Sequence, residues 1–173
     1  MSVELKIEPI GVIETPFREP TGTPIQPSRS NGAPGKVRVD PRFWPGLQDL
    51  AGFERIWLIY WLHKRPSSSL VVTPFLDQRP RGVFATRAPA RPAPIGMSAV
   101  RLVRIEEGVL DVADVDMVDG TPLLDIKPYV PEFDSYPASR AGWFDQSESR
   151  ERLADSRFER AQAAAGPEQH SGK

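Results

Sequence analysis

Six arginines and no acidic residue fall between positions 78 and 105: Arg79, Arg81, Arg87, Arg91, Arg101 and Arg104. Arg87 and Arg91 stand in the stretch "ATRAPARPAPIGM", among Pro89, Pro92 and Pro94. A guanidinium is a planar fork of donors that matches carboxylates and phosphates. Proline fixes φ, so a proline-rich loop holds a charge in place at little further entropic cost. Rigid cations on a loop point to an anion site. For Arg101 and Arg104, which sit in the alternating segment that follows, a solvated strand face is the simpler account.

A second constellation is "DMVDGTPLLDIKPYVPEFD" at 116–134. Asp116, Asp119, Asp125 and Asp134 surround a Gly-Thr-Pro turn, with Lys127 and Tyr129 close behind. Aspartates in turns ordinarily accept backbone N–H groups, and Asp119 suits that role. Carboxylates near an arginine-rich loop could also pair with it, or bind ribose hydroxyls or an ammonium group; spacing leaves these open. A third group, His63-Lys64-Arg65, follows the apolar run at 56–62. Functional groups often sit at the end of a rigid strand, and a plain basic strand exit is the alternative.

These groups need a scaffold. The chain has 173 residues, 39% hydrophobic and 26% charged, which suits one soluble domain with a real core. Net charge is −1, so an anion site must be a local patch rather than a whole-molecule field. With no cysteine and only His63 and His170, thiolate chemistry and multi-histidine metal sites are excluded. No nucleophile elbow, phosphate-binding P-loop or dinucleotide-binding glycine turn appears. No apolar run or leader-like start points to a membrane or export, and a cytoplasmic location is expected.

Residues 5–15 read as a strand with a bend, and 36–39 as a short strand. Residues 16–36 hold five prolines and three glycines, a long irregular segment of the kind that carries function. Asp40 with Pro41 reads as the start of a helical turn. The run "IWLIYWL" at 56–62 reads as a central strand buried on both faces. Further strands are expected at 70–75, 82–86, 98–106, 109–117 and 123–130, with "EEG" and "VDGTP" as turns. Six to eight short strands without long intervening helices predict a mainly β protein, a compact antiparallel β-barrel with short helical turns. The barrel domain is assigned to 1–145. Residues 146–173 are rich in helix formers and predict a helical or flexible tail with a thin apolar stripe of Leu153, Phe158 and Ala161.

Taken together, "IGVIETPF", "PIQP" at 24–27, "GFERIWLIYWLHK", "GVFATRAPARPAPIGMSAVRL" and "DMVDGTPLLDIKPYVPEFD" resemble the YaeB-like (TsaA/TrmO) family over roughly residues 8–134. The resemblance implies a β-barrel, usually homodimeric, that uses S-adenosylmethionine to methylate tRNA. The implied acceptor is N6 of threonylcarbamoyladenosine next to the anticodon of threonine tRNAs. Carried over by motif, the cofactor site draws on Ile25, Gln26, Pro27, His63, Lys64, Arg87, Met97, Val115 and Asp116. Arg87 would grip the cofactor carboxylate. Arg91, Lys127 and Tyr129 would face the anticodon stem-loop, and Asp119, Asp125 and His63 are candidates for a general base. No metal is implied.

Two positions depart from the family pattern. Ile25 stands where an arginine is common, and Ala93 where an asparagine is common, so two polar contacts near the site are missing. Two rival readings stay open on the residues alone. One is a non-catalytic barrel that binds a nucleotide or RNA. The other is a methyltransferase acting on a small molecule.

Overall fold

The computed structural model describes residues 5–158. Eight strands follow in chain order: β1 (Gly11–Glu14), β2 (Pro34–Val39), β3 (Arg55–Trp61), β4 (Val71–Val72), β5 (Arg81–Gly82), β6 (Ile95–Glu106), β7 (Val109–Ala113) and β8 (Thr121–Pro128). Six of them close into a barrel in the order β1-β2-β7-β6-β3-β8, and β4 pairs with β5 in a separate two-stranded sheet. Every pairing is antiparallel. Closure leaves the barrel without an exposed ladder edge.

The barrel follows from strand alternation. Val37 and Val39 point inward from β2 between Lys36 and Arg38, which face solvent. Ile56, Leu58 and Tyr60 do the same from β3, and with Ile13, Val100, Leu110, Val115 and Leu123 they make the core. The run at 56–62 is therefore buried on one face only: Trp57 and Ile59 are half-buried, and Trp61 is exposed. A small barrel fills its interior from one face of each strand, so the other face meets loops or solvent.

The turns match their chemistry. Glu107 and Gly108 link β6 to β7 with φ of 47° and 74°, the left-handed pair that suits a two-residue hairpin. A side chain at 108 would strike the Trp44 indole, 1.9 Å from where Cβ would stand. Asp40 opens the 3-10 turn Pro41–Leu47, and its carboxylate accepts from the Arg42 amide.

Elsewhere the irregular parts are shorter or differently folded than expected. The first strand begins at Gly11 rather than residue 5. The segments at 70–75 and 82–86 contribute only two-residue strands, followed by a 3-10 turn at Val83–Ala85. The helix expected from 146 does not form up to Phe158. Between the 3-10 turns Gly142–Gln146 and Ser156–Phe158 the chain is not helical, and Leu153 bridges Pro24 in antiparallel fashion. Alternating Arg and Glu supply helix propensity, but long-range hydrogen bonds to the loop at 20–30 override it. Ala161 lies outside the described residues. Among the described residues no helix is long and apolar enough to cross a membrane.

Candidate functional site

A cleft of about 290 Å³ opens at one end of the barrel. Four segments meet there: the loop at 20–30, the exit of β3, the proline-rich loop before β6, and the stretch after β7.

The proline-rich loop is cinched onto itself. Thr86 Oγ1 donates to the Val83 carbonyl and accepts from the Ala88 amide. Arg91 Nη1 donates to the carbonyls of Thr86 and Ala88, at 3.1 and 3.3 Å. These two carbonyls flank Arg87. Arg91 thus holds the backbone from which Arg87 projects, a role the arginine count alone did not suggest.

Arg87 is exposed and carries no carboxylate partner among the described residues. Its Nη1 donates to Gln26 Oε1 at 2.7 Å, which aims the guanidinium without neutralising it. Gln26 precedes the 3-10 turn Pro27–Arg29, which Ser30 closes by donating Oγ to the Pro27 carbonyl. Lys64 reaches the carbonyl of Arg18 at 2.6 Å, and Arg65 also lines the cleft.

Opposite these cations sits Asp116. Ser98 Oγ donates to its Oδ1 at 2.5 Å, and Tyr60 Oη lies 3.0 Å from the same hydroxyl. Ser98 has one hydrogen, so when it donates to Asp116 the Tyr60 hydroxyl donates to Ser98. Burial pushes the Asp116 carboxyl up to about 7, against the smaller opposing effects of the Ser98 bond and of Arg87. Tyr60 is raised by burial and by the nearby Asp116. The Tyr60 ring packs over Gly96, where a Cβ would come within 2.3 Å of the ring. The cleft therefore holds a carboxyl poised near neutrality that a bound cation would ionise.

His63 lines the same cleft. Burial, and then the Lys64 charge, lower its pKa, so its imidazole is neutral at neutral pH. Its nearest polar partner is Thr121 Oγ1 at 3.5 Å.

Of the residues expected from the motifs, the cleft gathers Ile25, Gln26, His63, Lys64, Arg87, Arg91, Met97 and Asp116. Pro27 and Tyr129 line an adjoining groove that shares Gln26, Arg87 and Met97 with it. Others stand apart. Val115 is fully buried in the core, and its amide donates to the Ala33 carbonyl at 3.2 Å, so it does not line the cleft. Asp119 accepts from the Thr15 amide and pairs with Arg18. Asp125 accepts from its neighbour's amide and pairs with Lys127 at 2.8 Å. Both aspartates are paired outside the cleft lining; of the three base candidates only His63 lines it.

Motif reading missed the far wall. Ala154, Asp155 and Phe158 line the cleft. They are fixed by backbone bonds from Gly22 to Ala154, Ala154 to Thr23 and Ile25 to Arg152, at 2.8, 2.8 and 3.0 Å. Arg157 binds the Pro74 carbonyl at 2.6 Å, and Phe158 meets Phe75 edge-on at 5.0 Å. The apolar Leu153 and Phe158 were the available signal, but nothing local announces an extended backbone there.

Comparison with known proteins agrees with the architecture. Residues 12–135 match the tRNA-methyltransferase O N-terminal domain. A probable S-adenosyl-L-methionine-binding protein of Pyrococcus abyssi is 51% identical over 139 residues, covering 80% of this chain and 76% of that one. The human tRNA (adenine(37)-N6)-methyltransferase is 37% identical over 138 residues, covering 76% of this chain and 31% of that one. The crystal structure of TrmO from Pseudomonas aeruginosa superposes with a TM-score of 0.67 at 37% identity, over 81% of this chain and 62% of that chain. The chain thus spans less than two thirds of the TrmO chain and about a third of the human relative.

Proposed function

This chain belongs to the tRNA-methyltransferase O family, and on that premise we propose that it is an S-adenosylmethionine-dependent methyltransferase acting on tRNA. The observation that carries this reading is the pairing, across one cleft, of an Arg87 without an ion-pair partner among the described residues with a half-buried Asp116. The first suits a carboxylate and the second a cation, and the amino-acid end and sulfonium of S-adenosylmethionine present both. When bound, S-adenosylmethionine supplies a methyl group activated on a sulfonium.

The chain's own residues do the rest. Gln26 and the Arg91-cinched loop keep Arg87 in place, which preorganises the cleft at low entropic cost. Asp116 ionises when a cation sits beside it and passes its proton to solvent. Leu62, Ile95 and Met97 give the cleft an apolar side that sheds water from the sulfonium. Direct transfer needs alignment more than a covalent partner. His63, neutral and at the cleft wall, is the group placed to accept the acceptor's proton.

The finer substrate in this reading, which the family resemblance supports, is N6 of threonylcarbamoyladenosine beside the anticodon of threonine tRNA. Trp61 and Ile95 face each other across paired strands, with Met97 on the same face. All three are exposed. That apolar strip is where a second copy would dock to form the homodimer.

The test is transfer of labelled methyl from S-adenosylmethionine to tRNA that carries or lacks the threonylcarbamoyl group. Labelling of the first alone supports the assignment. Labelling of neither, by protein that binds the cofactor, contradicts it.

A further inference from the structure

A second cavity, of about 620 Å³, lies against the first. The two share a wall that includes Gln26, Thr86 and Arg87. Phe75 and Phe158 belong to that wall too, and Phe84, Trp143 and Phe144 line the second cavity alone. Among the described residues no Asp or Glu lines it, and Arg87 is the one cation that does. None of the motifs that built the first cleft predicted it. Trp143, Phe144 and Phe158 lie beyond residue 135, where the family match ends.

The aromatic walls are held in place. Trp143 Nε1 donates to the Ala85 carbonyl at 2.7 Å, and the Arg81 guanidinium stacks 5.8 Å from its ring. Ser147 Oγ ties the segment to the Leu76 carbonyl at 2.7 Å. Phe84 and Phe144 remain 78% and 46% exposed. Open aromatic faces beside a cation, with no acid among the described lining residues, suit a flat, electron-rich group on a polyanion. Unstacked bases of single-stranded RNA loops are that kind of group, and proteins take them by stacking on aromatic side chains.

Given the methyltransferase reading above, on which this rests, we propose that the second cavity receives the acceptor nucleobase after it leaves the RNA stack. The shared wall at Arg87 sets the base beside the cofactor cleft, as transfer requires. The cavity is larger than the cofactor cleft, which leaves room for a substituent on the base. Phe84 and Phe144 then form the stacking rim, and the segment 141–158 is substrate-binding structure rather than a tail.

The experiment compares wild type with Phe84→Ala, Phe144→Ala and Phe144→Tyr. The probe is an anticodon stem-loop RNA with a fluorescent purine analogue at the acceptor position. S-adenosylmethionine affinity is measured alongside by calorimetry. Both alanine variants should weaken RNA binding about tenfold, in line with the usual effect of losing one base–aromatic stack, and abolish quenching of the analogue. Phe144→Tyr should retain both. Cofactor affinity should stay within about twofold of wild type. Unchanged RNA affinity and quenching in cofactor-competent alanine variants would overturn the proposal. So would a change of oligomeric state in the variants with RNA binding intact, which would make the rim a protein interface. Failure of wild type to bind S-adenosylmethionine is a separate result: it overturns the methyltransferase reading itself.

Discussion

The barrel and the cleft wall are built on different rules. In the barrel, one residue in two points inward, and each strand is specified by its own few residues. Val37, Val39, Ile56 and Leu58 are buried because their neighbours alternate, and the pairing partners follow. In the cleft wall nothing alternates. Gly22, Thr23 and Ile25 are held by Arg152 and Ala154, across more than a hundred residues of sequence. Arg87 is held by a glutamine from one loop and by an arginine that grips backbone in its own. A periodic scaffold is stable by burial; an irregular wall is positioned by hydrogen bonds. The two should therefore respond to mutation separately.

The largest effect belongs to the barrel. Leu58→Ala empties space in a fully buried position and should cost about 2–5 kcal/mol, read from denaturant unfolding. Phe158→Ala strikes the smaller cluster of Val72, Val83, Ala88 and Ala90. It should release the wall before the barrel: amide exchange at Gly22, Ile25 and Ala154 speeds up while β3 and β6 stay protected. Equal acceleration in both regions would break the comparison.

Arg91→Ala should leave unfolding nearly unchanged and weaken S-adenosylmethionine binding about tenfold, the usual scale for losing charged hydrogen bonds. Arg91→Lys should not rescue it, because an ammonium does not reproduce the planar fork. A loss of stability without loss of affinity would reassign Arg91 to the scaffold.

Asp116 sharpens the same point through pH. Its native carboxyl holds a proton up to about pH 7, whereas the unfolded chain releases it near the ordinary carboxylate value. The native state thus binds more protons between those values, and Asp116 makes stability fall as pH rises through that window. Cofactor affinity should move the other way, rising as the carboxyl ionises, with proton uptake by buffer seen on binding near pH 7. Asp116→Asn should flatten both profiles. The smallest effect is at the barrel surface: Lys36→Ala, which removes the solvent-facing Lys36–Asp111 pair, should leave the denaturant unfolding midpoint nearly unchanged.

These differences explain what could be read from the chain beforehand. The barrel was legible because alternation is local, and the "EEG" and "VDGTP" turns announced themselves through Gly108 and Gly120, both at positive φ. The cleft residues were legible through motifs, and the structure gathers Gln26, His63, Arg87, Met97 and Asp116 about one cleft. The Tyr60–Ser98–Asp116 chain was not, because it joins three segments far apart in sequence. The wall from 146 to 158 was read as helical or flexible because its composition favours helix, while its backbone at 152–154 pairs with a loop that composition cannot reveal.

Calorimetric titration with S-adenosylmethionine, wild type beside Arg87→Ala, tests the central claim most directly. The cleft as described predicts micromolar binding by wild type and loss of most of it in the variant, with both proteins equally stable. No binding by folded wild type, or equal binding by both, would contradict the assignment of Arg87 and its cleft to the cofactor.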